Sequence, residues 1–507
     1  MPARPPADSS PLGQALAGGQ RLREPAVPQV PGTVPVLTRA NRQWPAEPDP
    51  QAARVVAALR RELPSGSVRA DLQELARYAS DAAGLRPGAP PAAVVLPETT
   101  AEVQAAMRIA SALRVPVVVR GAGSGLSGAV IAPPGGIVLS TERLTRLIEI
   151  RPEDELAVVE AGVITGDLDR AAAAHGLRYA PDPASADFST IGGNVAMNAG
   201  GLRCCKYGVT RESVLALDVV LADGTLMTVG HRTIKGVTGL DLVGLFVGSE
   251  GTLGVVVTVT VRLRPLPVAT ETMVAFADSL GDVGAAVQAI TRSRVQPSAV
   301  ELLDESSLRS IDENRGTDLA ARGRAMLLLQ TDGHGATAEM DELESVVAAA
   351  GVSVQRLVGE EADRMVELRR SGRGSKKDTW RIGEDVAVPR SRLVEMIAAM
   401  EGIGARYGVE VGCVAHAGDG NLHIGLSAAM RPGEAEPPAA VHAAADAVVR
   451  AALDLGGTIT GEHGVGALKR PWLERELGTR QLQLQRSVKA AFDPLGILAP
   501  DSFLATV

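Results

Sequence analysis

The sequence predicts an α+β chain with two globular parts, the first mixing short strands and helices and the second built on an antiparallel sheet. Three observations support this. Between residues 93 and 265, β-branched runs (AAVVLP, VPVVVR, GIVLST, LAVVEAG, LGVVVTVTVRLRP) alternate with the helical stretches TAEVQAAMRIASALR and TGDLDRAAAAHG. After Pro265 the order becomes strand, helix, strand, strand, helix, through TMVAFADS, LGDVGAAVQAITRSR, AVELLD, RAMLLLQTDG and TAEMDELESVVAAAG. An Ala-rich helix over 436–455 then opens a C-terminal helical segment.

In chain order, residues 1–50 hold eleven of the thirty-two prolines among Gly, Ser, Gln and Arg, and read as a disordered tail. Val55, Val56 and Leu59 begin an amphipathic helix over 51–63, where the first globular part, 51–265, starts. In TAEVQAAMRIASALR, Thr100 is the expected cap and Glu102 lies in the first turn, where the helix dipole favours an acid. The second part covers 266–439, with a helix and strand over 390–411 leading into a hairpin over 412–428. Residues 440–507 return to the first part. No repeat of about 20–50 residues marks a solenoid.

Composition narrows the function. A chain of 507 residues, 45% hydrophobic and 22% charged, has material for a large core. A formal charge of −8 argues against duplex nucleic acid as a partner, and 2% aromatic residues leave no stacking platform for single strands. Cys204, Cys205 and Cys413 are too few for a disulfide framework or an iron–sulfur cluster. Redox chemistry would therefore need an organic cofactor or a metal with other ligands. No run is apolar enough for a signal peptide or a spanning helix, so the expected location is cytoplasmic.

Gly123-Ser124-Gly125-Leu126-Ser127-Gly128 follows a strand and is formally G-x-G-x-x-G. A Rossmann site needs a helix after these glycines, but Ala132-Pro133-Pro134-Gly135-Gly136 and another strand follow at once, which refuses a nicotinamide site. The loop's closely spaced N–H groups still suit a pyrophosphate, with a tight surface turn as the plainer alternative. Residues 181–214, rich in hydroxyls and glycine pairs, suit an extended ligand threaded close to the backbone. A third segment, Gly248 to Gly254, runs straight into a strand.

Of seven histidines, His175, His231, His334 and His442 read as surface or satisfied polar residues. His416 and His423 differ, because they flank Gly418-Asp419-Gly420-Asn421, whose Asp-Gly centre signals a two-residue hairpin turn. Counted outward from that centre, His416 should oppose His423, with Cβ atoms about 4.5–5.5 Å apart. Both nitrogens could then reach one ion at about 2.0–2.1 Å, or the rings could form a neutral stacked pair without metal. Glu462 and His463 lie between glycines in GEHGVG, where neighbouring side chains diverge, giving a carboxylate ligand and a free imidazole. Two histidines and a carboxylate with open positions suit Zn, Mn or Fe.

The segments PVVVRGAGSGLSG, IGGNVAMNAGG and GSEGTLG together resemble the flavin-binding domain of the vanillyl-alcohol oxidase and p-cresol methylhydroxylase superfamily. The resemblance implies a two-subdomain FAD-binding domain over 51–265 and a substrate cap domain over 266–439. It implies the pyrophosphate on Arg120, Gly121, Ala122, Gly123, Ser124 and Gly125. It also implies Ser189, Thr190, Gly193, Asn194 and Gly200 near the dinucleotide, and Glu250 with Gly254 in the adenine-side wall. Some members tether FAD through a histidine in the glycine loop; residues 116–130 contain no histidine or tyrosine, so FAD should be non-covalent.

HAGDGNLH, GEHGVGALKR and FDPLGILAPD resemble the FAD-linked 2-hydroxy-acid dehydrogenases, a group with D-lactate dehydrogenases, D-2-hydroxyglutarate dehydrogenase and the FAD subunit of glycolate oxidase. That resemblance implies a divalent metal on His416, His423 and Glu462, His463 as base and Asn421 beside the substrate. Some relatives carry a lysine just before the Glu-Asp dipeptide; here it is Gly383. Arg369 is the candidate for the 1-carboxylate, with Arg370 or Arg373 as substitutes and a solvated basic run as the plain alternative. The implied reaction is oxidation of a D-2-hydroxy acid to the 2-oxo acid, with electrons passed to a partner protein, a quinone or dioxygen. The acceptor could hold the enzyme at a membrane periphery, and a homodimer is compatible. An ether-lipid-synthase-like enzyme without net oxidation, a metal-dependent hydrolase and a non-catalytic flavin subunit are the alternatives.

Overall fold

A computed structural model describes residues 38, 39, 44, 50–371, 379–431 and 437–505. The tail over 1–50 lies almost wholly outside the described residues, and Arg373 lies outside them too.

The first main sheet has four strands in the order Val68–Arg69, Ala93–Val95, Ile137–Ser140, Val117–Arg120, the last three parallel. Strands covered on both faces need continuous apolar runs, which is what AVV and IVLS supply. The helix Thr100–Leu113 buries Val103, Ala106, Met107 and Ala110 in one cluster with Val95, Val117 and Leu139. Its cap is Thr99 rather than the expected Thr100. The Thr99 hydroxyl accepts from the Glu102 N–H at 3.3 Å and donates to the Glu102 carboxylate at 3.1 Å, because the Thr-x-x-Glu spacing of a capping box starts one residue earlier. No helix interrupts residues 121–136, so the glycine loop passes directly between parallel neighbours.

A five-stranded antiparallel sheet follows, ordered Leu226–Gly230, Val214–Val220, Val255–Arg262, Leu156–Glu160, Leu147–Arg151. The C-terminal segment comes back to the first sheet: the Val117 N–H donates to the Ile497 carbonyl and the Ala499 N–H to the Val117 carbonyl, both at 2.7 Å.

The third sheet is antiparallel throughout and has seven strands, in the order Ser353–Leu357, Thr270–Ala277, Ala325–Asp332, Ala299–Asp304, Glu410–His416, Asn421–Ala429, Thr379–Ala387. Alternation divides its faces. Cys413, Ala415, Leu422, Ile424 and Val386 pack into a core with the helices Leu280–Ser293, Ala336–Ala349, Leu393–Tyr407 and Ala439–Asp454. On the opposite face, Val274, Leu303, Leu328 and Val414 are covered by Met365 and Leu368 of the helix Glu360–Ser371. Farther along that face, the last three strands carry His416, His423 and Asp385 instead of apolar residues, and they border a cavity.

Candidate active site

The hairpin of His416 and His423 forms in a register two residues away from the expected one. His416 pairs with Asn421 and Val414 with His423, so the histidines are diagonal neighbours. The turn takes four residues, not two: the His416 carbonyl accepts from the N–H groups of Asp419 at 3.0 Å and Gly420 at 3.1 Å. Gly420 closes it at φ +80°, where a Cβ would sit 2.1 Å from the Val388 carbonyl oxygen. An even shift preserves the face on which every side chain points. Both imidazoles therefore still meet on one side, edge to face, with ring centres 5.1 Å apart.

Glu462 Oε1 lies 3.3 Å from His416 Nε2 and 3.0 Å from His423 Nε2. Burial works to raise the Glu462 carboxyl, but the two imidazoles outweigh it and hold the group well below the usual carboxylate range. His416 Nδ1 donates to the buried Glu301 carboxylate at 2.8 Å, which fixes the tautomer and frees Nε2 as a ligand. Burial lowers the His416 imidazole, yet Glu301 and then Glu462 lift it to about 10 in this metal-free arrangement. His463 stacks on His423 at 5.0 Å and 11°, and burial pulls its imidazole below the ordinary value.

Asp385, His423 and His463 form a second ligand-like group sharing His423. Asp385 is the weaker ligand candidate, because Oδ2 already accepts from the Thr460 hydroxyl at 2.8 Å and from the N–H groups of Gly461, Glu462 and His463 at 2.9–3.0 Å, and its open Oδ1 stands 3.7 Å from His423 Nδ1, farther than Glu462 Oε1 from either Nε2. In the first group two Nε2 atoms and one carboxylate oxygen converge with no such prior commitment, so His416, His423 and Glu462 suit a divalent metal best.

Four side chains placed at or beside the candidate site were missed by sequence reasoning. Glu301 and Asp385 are fully buried carboxylates on strands, and Lys469 is a buried amine donating to the carbonyls of Asp385 and, at 2.6 Å, Ile459. The signal was an acidic residue inside an apolar strand, in AVELLD and EDVAVP, where an unpartnered charge would be costly. The fourth is Arg381, which lines the cavity two residues before Gly383 on the same strand face. Its guanidinium lies over Gly425, the register partner of Gly383, where a Cβ would come within 2.8 Å of Nη2. Arg369 also lines the cavity, but its Nη2 is 2.5 Å from Glu301; Arg370 is tied to Asp182 at 2.7 Å. Arg381 has no ion-pair partner among the described residues.

The glycine segments close the other side of the same cavity, about 610 Å³ in volume. Gly121 to Gly125, Thr190, Gly193, Asn194, Gly200, Glu250 and Gly254 all line it. Arg120 and Ser189 sit one layer behind: Arg120 donates to the Gly121 carbonyl at 3.1 Å and stacks over Tyr78, and Ser189 bonds Thr165. A Cβ at Gly121 would fall 2.4 Å from the Thr190 hydroxyl, so the two glycine-rich segments touch only because that Cβ is missing. Among the described residues, none accepts a hydrogen bond from the N–H groups of residues 121–127. Such a run of open donors fits the pyrophosphate of a dinucleotide. Gly200 serves a further purpose, since a Cβ there would lie 2.4 Å from Glu462 Oε2. Asn421 is the register partner of His416 and lies beside Gly461, where a Cβ would come within 2.1 Å of its Oδ1.

Comparisons with known proteins give the chain's family and fold. Residues 91–230 match the FAD binding domain family and residues 266–503 the FAD linked oxidases, C-terminal domain. The chain is 40% identical over 421 residues to the glycolate oxidase subunit GlcD of Bacillus subtilis, covering 82% of this chain and 89% of that one. It is 35% identical over 410 residues to a D-lactate dehydrogenase of Archaeoglobus fulgidus, covering 80% and 90%. Among solved structures, p-cresol methylhydroxylase with substrate bound superposes with a TM-score of 0.72 at 17% identity, over 90% of this chain and 97% of that one. Alkyldihydroxyacetonephosphate synthase does so with 0.69 at 17% identity, over 93% and 90%. At these identities the structural matches speak for the fold.

Proposed function

The chain belongs to the FAD-linked oxidases, FAD-dependent oxidoreductases, and from that premise we propose that it oxidises a D-2-hydroxy acid of the lactate, glycolate or 2-hydroxyglutarate class to the 2-oxo acid. The observation that carries this reading is the convergence of His416, His423 and Glu462 with His463 in the cavity that the glycine loops enclose. The names of the relatives, glycolate oxidase and D-lactate dehydrogenase, support the substrate class.

His416, His423 and Glu462 would hold a divalent metal, zinc first among the candidates, and residues 121–125 with Thr190, Gly193 and Asn194 would hold non-covalent FAD. When bound, the metal supplies a Lewis acid for the substrate hydroxyl and FAD supplies the acceptor for the C2 hydride. The remaining work falls to the chain. His463, kept neutral by burial, accepts the hydroxyl proton. Arg369 orients the 1-carboxylate from its place beside Glu301, and Arg381 offers a cation with no ion-pair partner among the described residues on the same wall. Glu250 and Gly254 close the cavity on the adenine side, while Arg120 and Ser189 brace the cofactor loops from behind. We read 51–265 as the FAD-binding domain, 266–439 as the cap and 440–507 as a closing segment. Electrons leave to a protein or quinone acceptor, with the enzyme cytoplasmic or at a membrane periphery. The fold shared with alkyldihydroxyacetonephosphate synthase carries no preference for a non-oxidising reaction.

Anaerobic titration of the flavoprotein with D- and L-2-hydroxy acids tests the reading. D-acids should bleach the flavin, L-acids should not, and a chelator should abolish bleaching. A flavin that dithionite reduces but no 2-hydroxy acid of either hand reduces would refute it.

A further inference from the structure

The Glu462–His463 doublet sits in a loop with no regular secondary structure, yet its N–H groups are all engaged. Six consecutive N–H groups, residues 461 to 466, all donate to side-chain oxygens. Gly461, Glu462 and His463 donate to Asp385 Oδ2 at 2.9, 3.0 and 2.9 Å. Gly464 donates to the Thr460 hydroxyl at 3.0 Å, and that hydroxyl itself donates to Asp385 Oδ2. Val465 and Gly466 donate to the two oxygens of Glu250 at 2.7 and 2.9 Å.

We propose that Asp385 and Glu250 are paired positioning residues that shape the 460–466 loop from opposite sides, Asp385 fixing the stretch that carries Glu462 and His463 and Glu250 anchoring the end of the loop beyond His463. This rests on the roles given above to Glu462 and His463. The two clamps come from different parts of the chain: Asp385 from the seven-stranded sheet and Glu250 from the glycine-rich segment that lines the cofactor side of the cavity. Both carboxylates are buried.

Three further observations favour a built device over incidental packing. Glu250 holds a left-handed backbone at φ +53°, a conformation a non-glycine residue keeps only where its surroundings impose it. A Cβ at Gly464 would lie 2.9 Å from Glu250 Oε1 and 2.3 Å from the Met197 methyl, and one at Gly466 would lie 2.2 Å from the Ser127 carbonyl oxygen, so the loop's glycines permit the approach. The second oxygen of Asp385 has no hydrogen-bond partner among the described residues and lies 3.7 Å from His423 Nδ1, so the residue that shapes the loop also backs a histidine of the cluster.

Hydrogen exchange of the amides of residues 461–466 in the substrate-free flavoprotein, together with kcat, KM and zinc affinity, tests the proposal in Asp385→Asn and Glu250→Gln. Asp385→Asn should speed exchange at residues 461–463 by at least about tenfold and lower zinc affinity by about 10–100-fold. Glu250→Gln should speed exchange at 465 and 466, leave zinc affinity within about threefold of the parent, and lower kcat more than it raises KM. Thr460→Val, a milder change, should speed exchange at Gly464 and keeps the test open if the Asp385 variant fails to fold. Parent-like exchange and kcat in Glu250→Gln and Thr460→Val would overturn the proposal. Exchange needs no substrate, so a failure to find an active 2-hydroxy acid would sink the functional reading without touching this one.

Discussion

Replacing Glu301 by Gln isolates the carboxylate that joins His416, a proposed metal ligand, to Arg369, the proposed carboxylate-binding arginine. Glu301 is fully buried; it accepts from His416 Nδ1 at 2.8 Å and lies 2.5 Å from Arg369 Nη2, whose residue is 5% exposed. Glutamine preserves the shape but leaves the guanidinium buried without its counter-charge, a loss of about 3–5 kcal/mol for a buried pair broken on one side. Loss of the carboxylate behind a ligating histidine should weaken metal binding by about 10–100-fold. Urea unfolding of the metal-free flavoprotein reads the first number and zinc competition with a chelator reads the second. Adding Arg369→Met removes the stranded charge, so the double variant should recover most of the stability and none of the zinc affinity. A single variant that loses less than about 1 kcal/mol and keeps parent zinc affinity would refute the reasoning.

The metal ligands and the base should separate in one scan. His416→Ala and Glu462→Ala should lose metal and keep FAD, whereas His463→Ala should keep both and lose turnover by about 10²–10⁴-fold, read by metal analysis and flavin reduction. If His463→Ala loses metal while Glu462→Ala retains it, the roles are reversed. Because His416 is lifted to about 10 in the metal-free protein, zinc must displace a proton below that pH, so zinc affinity should fall about tenfold per unit as pH drops from 9 to 7. The same elevation stabilises the metal-free fold fully below pH about 6.5 and is lost as pH rises through about 10; a flat zinc affinity would contradict it. Arg381→Ala should raise KM for the hydroxy acid by about 10–100-fold with FAD content unchanged, and an unaltered KM would remove it from the substrate wall. FAD should be released by acid or heat, and flavin remaining on peptide would contradict the absence of a tether in residues 116–130.

What the sequence determined by itself is local. β-Branched apolar runs placed the strands, glycine and proline punctuation excluded a crossover helix after Gly128, and GEHGVG announced a loop with two chemically distinct side chains. The facing of His416 and His423 was legible although the register was not. An even slip keeps the face, while turn length depends on how Gly420 meets Val388 across the sheet. The tertiary structure alone decided the partners. Glu301 lies 115 residues from His416 and Asp385 76 residues from Gly461, so their meeting depends on strand order in the seven-stranded sheet. Alternation is the same whichever strand lies next to which, so no pattern in AVELLD or EDVAVP names the neighbour. A buried carboxylate announces only that a partner must exist; which one it finds is set when the sheet closes and places the donors within reach.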